Sequence, residues 1–122
     1  NNGFDLILVS NKPQFYCYEL LKYFEIRDFF VAVSGGDTFN YKKPDARHLE
    51  LTLKKANIDR YKCIFVGDSK IDLQCAKNAK VSCILLTHGY SDIDIKKLSA
   101  YKIINHLNNI VEVIENYFQK EL

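Results

Sequence analysis

The chain has 122 residues, enough for one domain with a real core, and its 48% hydrophobic and 26% charged residues are an ordinary globular balance. The formal net charge is +2 with Lys and Asp/Glu interspersed, so no basic stripe points to nucleic acid. No apolar run approaches the roughly 20 residues of a membrane helix, and residues 1–5 carry no signal-peptide pattern.

In chain order, residues 4–9 are a short apolar run ending in Ser10-Asn11-Lys12, which reads as a buried strand. Pro13 suits the first turn of the next helix, with Asn11 as its cap and Phe15, Tyr18, Leu20, Leu21 and Phe24 as its apolar face. Residues 29–33 are a second strand, followed by the loop Ser34-Gly35-Gly36-Asp37. After Lys42-Lys43-Pro44, Asp45 caps a helix on which Leu49, Leu53 and Ala56 share a face and which Asn57 ends. Residues 63–66 are a third strand running into Gly67-Asp68-Ser69, and a helix over about 71–79 follows. Residues 82–86 are a fourth strand ending at Thr87-His88-Gly89-Tyr90. Residues 101–104 make a short fifth strand, and Ile110, Val113, Ile114 and Tyr117 mark a terminal helix.

Strands alternate with helices, and the strands are continuous apolar runs, as where both sheet faces are covered. This predicts an α/β layered fold on a parallel sheet, in one domain. The cysteines, Cys17, Cys63, Cys75 and Cys83, lack zinc-type spacing and read as reduced, mostly buried thiols of a cytoplasmic protein. The chain contains no Met, so it does not begin at an initiator residue and reads as a processed product, an excised domain or a fragment.

Polar residues gather just after the strands, at Ser10-Asn11-Lys12, Ser34–Asp37, Gly67-Asp68-Ser69 and Thr87-His88-Gly89. In an open parallel sheet these positions share one edge, where ligands bind. A hydroxyl, a lysine and carboxylates suit an anionic ligand with a hard cation. Gly67 permits a tight turn off the strand, and Asp72 lies one helical turn below Asp68. Two carboxylates so placed bind a divalent cation or cap the helix, and the spacing favours neither. Lys43 by itself reads as solvated and Ser10 by itself as a turn or cap residue. His48 and the cysteines have no partners of the right type, so packing or exposure is their default, and His88 reads as a surface loop residue.

Together these segments resemble the haloacid-dehalogenase-like phosphatases. Residues 7–12, Ile-Leu-Val-Ser-Asn-Lys, look like the family's second motif, Lys43-Pro44 like its third, and Gly67-Asp68-Ser69-Lys70-Ile71-Asp72 like its acidic fourth. The stretch from Lys43 through Pro44-Asp45-Ala46-Arg47-His48 to Leu49 is most similar to the phosphoglycolate phosphatase branch, although Ala46 stands where the family usually has a second Pro. The resemblance runs from about residue 4 to 90. It implies a Rossmann-like core and Mg²⁺-dependent hydrolysis of a small phosphorylated metabolite, such as 2-phosphoglycolate, through an aspartyl-phosphate. Ser10, with the Asn11 backbone amide, would bind a phosphoryl oxygen. Lys43 would pair with the phosphate and the nucleophile, Asp68 would bind Mg²⁺, and Asp72 would support the metal or orient Lys43.

The family's nucleophile lies in an Asp-x-Asp motif on an earlier strand, with a helical cap domain after it. No Asp-x-Asp at a strand end occurs here, and Asp92-Ile93-Asp94 is a poor substitute. The expectation is therefore a partial core, motifs two to four over residues 1–122, lacking the nucleophile strand and cap and inactive alone. Loss of that central strand would leave a slot roughly 10 Å wide that invites pairing with a separate N-terminal segment. The alternative is a non-catalytic remnant that binds phosphate or a partner. A phosphoacceptor receiver is disfavoured, because no acidic cluster follows the first strand.

Overall fold

The apolar runs form strands and the periodic segments form helices in the computed structural model, which describes residues 3–87 and 100–120. β1 (Leu6–Val9) leads through α1 (Gln14–Tyr23) to β2 (Phe30–Ser34), and α2 (Ala46–Lys55) leads to β3 (Ile64–Gly67). α3 (Lys70–Ala79) and β4 (Ser82–Leu86) follow, and β5 (Lys102–Ile104) precedes α4 (Ile110–Lys120). Every described pairing is parallel: β1 with β2, and β3, β4 and β5 in that order. This is the layered α/β arrangement expected from the alternation. Among the described residues no strand pairs with the outer edge of β1 or of β3, so the strands lie in two sheets.

Successive strand residues point to opposite faces, and three apolar clusters result. On one face, Ile7 and Val9 of β1 and Phe65 of β3 meet Leu49 and Leu53 of α2 and Leu73, Ala76 and Ala79 of α3. This cluster spans both sheets and makes them one body. On the other face, α1 packs on β1 and β2 through Cys17, Leu21 and Val33, and α4 packs on β4 and β5 through Ile84, Leu86 and Ile104. The four cysteines are free thiols, three of them buried. No described helix is long and apolar enough to cross a membrane.

α1 departs from expectation in two ways. Pro13 holds the cap position and the helix starts at Gln14, whose N–H is taken by Asp37 Oδ1 at 2.8 Å rather than by Asn11. The buried stripe is Cys17 and Leu21 with Tyr18 beside it, while Phe15, Leu20 and Phe24 are exposed. A helix on a sheet buries only a narrow stripe. Phe15 lies more than half a turn from Cys17, and Phe24 falls beyond the helix end.

Two neighbouring leucines test this assignment. Leu21 is 6% exposed and Leu20 44%. Urea unfolding should show Leu21→Ala losing about 2–5 kcal/mol and Leu20→Ala less than about 1 kcal/mol. Equal losses would mean that α1 presents a different face.

Candidate active site

Parallel register sets the first level of the site. Val9 lies opposite Ser34, and Gly67 opposite Leu85, so Ser10 and Asp68 both leave their strands at the C-terminal edge. The Ser10 N–H donates to Ser34 O at 2.9 Å, and its Oγ accepts from the Lys12 N–H at 3.1 Å, turning the chain away from β1. Gly35 and Gly36 pack so tightly beneath this turn that a Cβ on either would overlap the backbone of residues 11–14.

Side chains make the second level. The Asn11 amide reaches 32 residues along the chain: its Oδ1 accepts from the Lys43 N–H at 3.0 Å, and its Nδ2 donates to the Lys43 carbonyl at 3.1 Å. Lys43 Nζ donates to Asp72 Oδ1 at 2.6 Å. Asp72 Oδ2 in turn accepts from the Asp68 N–H and the Ser69 hydroxyl, both at 3.1 Å. One connected path thus joins the end of β1, the loop before α2 and the start of α3. The side chains of Lys43 and Asp72 are only 13% and 10% exposed, whereas Asp68 is exposed at the tip of β3.

Of the two readings of the acidic segment, helix capping is the one the contacts display. Ser69 caps α3 by accepting from the Asp72 N–H at 3.3 Å, while Asp72 serves Lys43. Its carboxylate also lies in the first turn, where the helix dipole favours negative charge. Gly67 is required by close approach, because a Cβ there would overlap the Asp72 side chain. Both Asp72 oxygens already face donors, and the Asp68 side chain is exposed at the tip of β3. Among the described residues, no group of three or more His, Cys, Asp or Glu is arranged around a metal position.

The loop carrying Lys43 is held from α3 as well. Asn78 Nδ2 donates to the Pro44 carbonyl at 3.0 Å and Cys75 Sγ to that of Asp45 at 3.5 Å. Asp45 caps α2 by accepting from the Arg47 N–H at 2.9 Å. It also takes the Arg47 guanidinium at 3.0 and 2.7 Å, and the Arg47 side chain holds its carboxyl down at about 2. Burial pushes the Cys63 and Cys83 thiols up to about 11 and about 12, so they stay protonated.

Other residues expected at this edge serve the framework. Ser34 is buried with its hydroxyl 2.7 Å from Thr52 Oγ1, and Asp37 caps α1. Thr87 is buried with its hydroxyl 2.7 Å from Asn105 Oδ1. His88, Gly89, Tyr90 and the Asp92-Ile93-Asp94 segment lie outside the described residues. His48 is packed, at 0% exposure, with no hydrogen-bond partner for either ring nitrogen among the described residues. Burial lowers its pKa below 6.5, and the Lys43 charge adds to this. The side-chain roles of Asn11 and Asn78 carried no local sequence signal, since their partners lie 32 and 34 residues away.

Residues 1–86 match the family model described as haloacid dehalogenase-like hydrolase. A phosphoglycolate phosphatase of Agrobacterium fabrum is 38% identical over 103 residues, which are 84% of this chain and 44% of that protein. One from Pseudomonas putida is 40% identical over 89 residues, 73% of this chain and 33% of that protein. The solved structure of a predicted phosphoglycolate phosphatase from Haemophilus somnus superposes with a TM-score of 0.81 at 27% identity, covering 92% of this chain and 50% of that one. The chain therefore spans half or less of each of these relatives.

Two outcomes follow from the geometry. Gly67→Ala should cost about 1–3 kcal/mol in urea unfolding and break the Lys43–Asp72 contact, seen as chemical-shift changes at both residues. An unchanged Asp72 would show that the turn has room. For His48, the neutral form is favoured on folding, so below pH 6.5 the unfolded chain binds more protons than the folded one. Stability is complete above that value and falls as pH drops toward the lowered folded-state pKa. The melting temperature should decline between pH 7 and 5, and His48→Leu should flatten that decline. An equal slope in the variant would place the titration elsewhere.

Proposed function

The chain belongs to the haloacid dehalogenase-like hydrolase family, and from that premise we propose that it supplies the phosphate-gripping part of a Mg²⁺-dependent phosphatase acting on a small phosphomonoester. The observation that carries this reading is the path from Asn11 through Lys43 and Asp72 to Asp68, which draws three distant polar segments to one strand edge. Three relatives named as phosphoglycolate phosphatases support 2-phosphoglycolate as the substrate. The free thiols fit a cytoplasmic setting.

The residues take roles by chemistry and position. The Ser10 hydroxyl and the Asn11 backbone N–H donate to a phosphoryl oxygen. The Lys43 ammonium, held by Asp72, faces the charge that builds on phosphorus oxygens and on the attacking carboxylate. Mg²⁺ keeps several waters and takes one or two carboxylates, so the exposed Asp68 suits it. When bound, the ion would neutralise phosphate charge. Asp72 fits the orientation of Lys43 better than metal ligation, because its oxygens already meet Lys43, the Asp68 N–H and Ser69.

The nucleophile is proposed to be an aspartate on a strand outside these 122 residues, seated between the open edges of β1 and β3. Its carboxylate oxygen bonds to phosphorus as the ester oxygen departs with the bonding pair and takes a proton. Water then releases phosphate and restores the carboxylate.

The test is hydrolysis of p-nitrophenyl phosphate and 2-phosphoglycolate with Mg²⁺, by the chain alone and mixed with a segment bearing an Asp-x-Asp strand. Negligible turnover alone and turnover in the mixture are expected. Lys43→Ala should lower kcat about 10²–10³-fold, and Asp68→Ala should remove the response to Mg²⁺. No gain on mixing, or turnover by the chain alone that survives both substitutions, would overturn the proposal.

A further inference from the structure

We infer that Asn11 is a positioning residue for Lys43, acting through its side-chain amide. The contact stands on geometry alone, and its catalytic consequence rests on the phosphatase reading. A primary amide offers a donor and an acceptor in one plane, and Asn11 uses both on the backbone of a single residue, at 3.1 and 3.0 Å. The arrangement copies a rung between paired strands, but one partner is a side chain. Asn11 is exposed, so burial does not account for its place.

The loop has three further side-chain holds, and they show what this one adds. Asn78 on α3 takes the Pro44 carbonyl, Cys75 on α3 takes that of Asp45, and Asp72 on α3 takes the Lys43 ammonium. All three anchor the loop to the helix that follows β3. Asn11 is the one of these holds that comes from the β1 side, and it adjoins Ser10. It therefore fixes the separation between the Ser10 hydroxyl and the Lys43 ammonium across the open edges of β1 and β3. Those two groups would grip the phosphoryl unit from either side, so an error in their spacing acts on the reacting geometry and not on substrate affinity alone.

The experiment compares the parent chain with Asn11→Ala and Asn11→Asp. The aspartate keeps an acceptor for the Lys43 N–H and loses the donor to its carbonyl. By NMR hydrogen exchange, the Lys43 amide of Asn11→Ala should exchange at least about tenfold faster, with the Leu53 and Ile84 amides unchanged. Asn11→Asp should recover most of the protection. In the active mixture with the nucleophile-bearing segment, Asn11→Ala should lower kcat about 10–100-fold with little change in KM. Equal Lys43 protection in parent and alanine variant would overturn the inference, as would an unchanged kcat in an active mixture. If no mixture turns over, the phosphatase reading fails by itself, and the exchange comparison still decides the role of Asn11. If Asn11→Ala loses protection throughout the core, Asn11→Asp and Asn11→Ser carry the same comparison.

Discussion

The site depends on the ion pair between Lys43 and Asp72, two charged groups brought almost out of water. Desolvating both is costly, and their attraction offsets that cost only when the remaining donors and acceptors are also satisfied. Asp72 meets the condition with the Asp68 N–H and the Ser69 hydroxyl on its second oxygen, and with the positive end of α3. Gly67 meets it sterically, by leaving the space that Asp72 fills. Replacing a buried ion pair by an apolar pair of similar volume is often neutral or stabilising, so stability alone does not explain it. The ion pair is better understood as a device that gives a lysine one orientation.

α3 works as the bar on which this device is mounted. Leu73, Ala76 and Ala79 face the core, where small side chains let the helix lie close to the strands. Asp72, Cys75 and Asn78, at successive steps of three, hold the Lys43 ammonium and the carbonyls of Asp45 and Pro44. The core cluster shared by β1, β3, α2 and α3 then fixes this helix relative to Ser10. Packing in the core and geometry at the edge are thus two faces of one helix, and changes on one face reach the other.

The sequence made legible whatever is local. Apolar runs revealed the strands, although only β4 is buried along nearly its whole length, while Leu6, Val31 and Val66 of the other strands are exposed. The four-residue step from Asp68 to Asp72 revealed a shared helix face, and Asp45 does cap α2. The resemblance implied the distant Asp72–Lys43 contact, but the other long-range contacts of the site escaped. Asn11 looked like a cap for α1, yet Asp37 supplies that acceptor and Asn11 spans 32 residues to Lys43. Thr87, grouped with the polar residues after the strands, is bonded to Ile104 and Asn105 near β5. The aromatic residues of α1 occupy both sides of the helix, so periodicity alone did not separate Leu21 from Leu20. For His48 no local signal favoured packing over exposure, and it is fully buried.

The ion pair has a further consequence for how an anion would be held. Asp72 offsets the charge of Lys43, as Arg47 offsets Asp45, so neither pair offers a net cation. Attraction for a phosphate then comes from directed donors, namely the ammonium protons not given to Asp72, the Ser10 hydroxyl and the backbone at Asn11. In the proposed reaction Asp68 would hold a metal ion, which would add net positive charge beside the phosphate. Directed donors lose their effect with small displacements, whereas a point charge does not. A site built this way gains more from rigid placement of its lysine than from extra positive charge. That accounts for three neighbouring backbone carbonyls, those of Lys43, Pro44 and Asp45, each being held by a side chain from elsewhere in the fold.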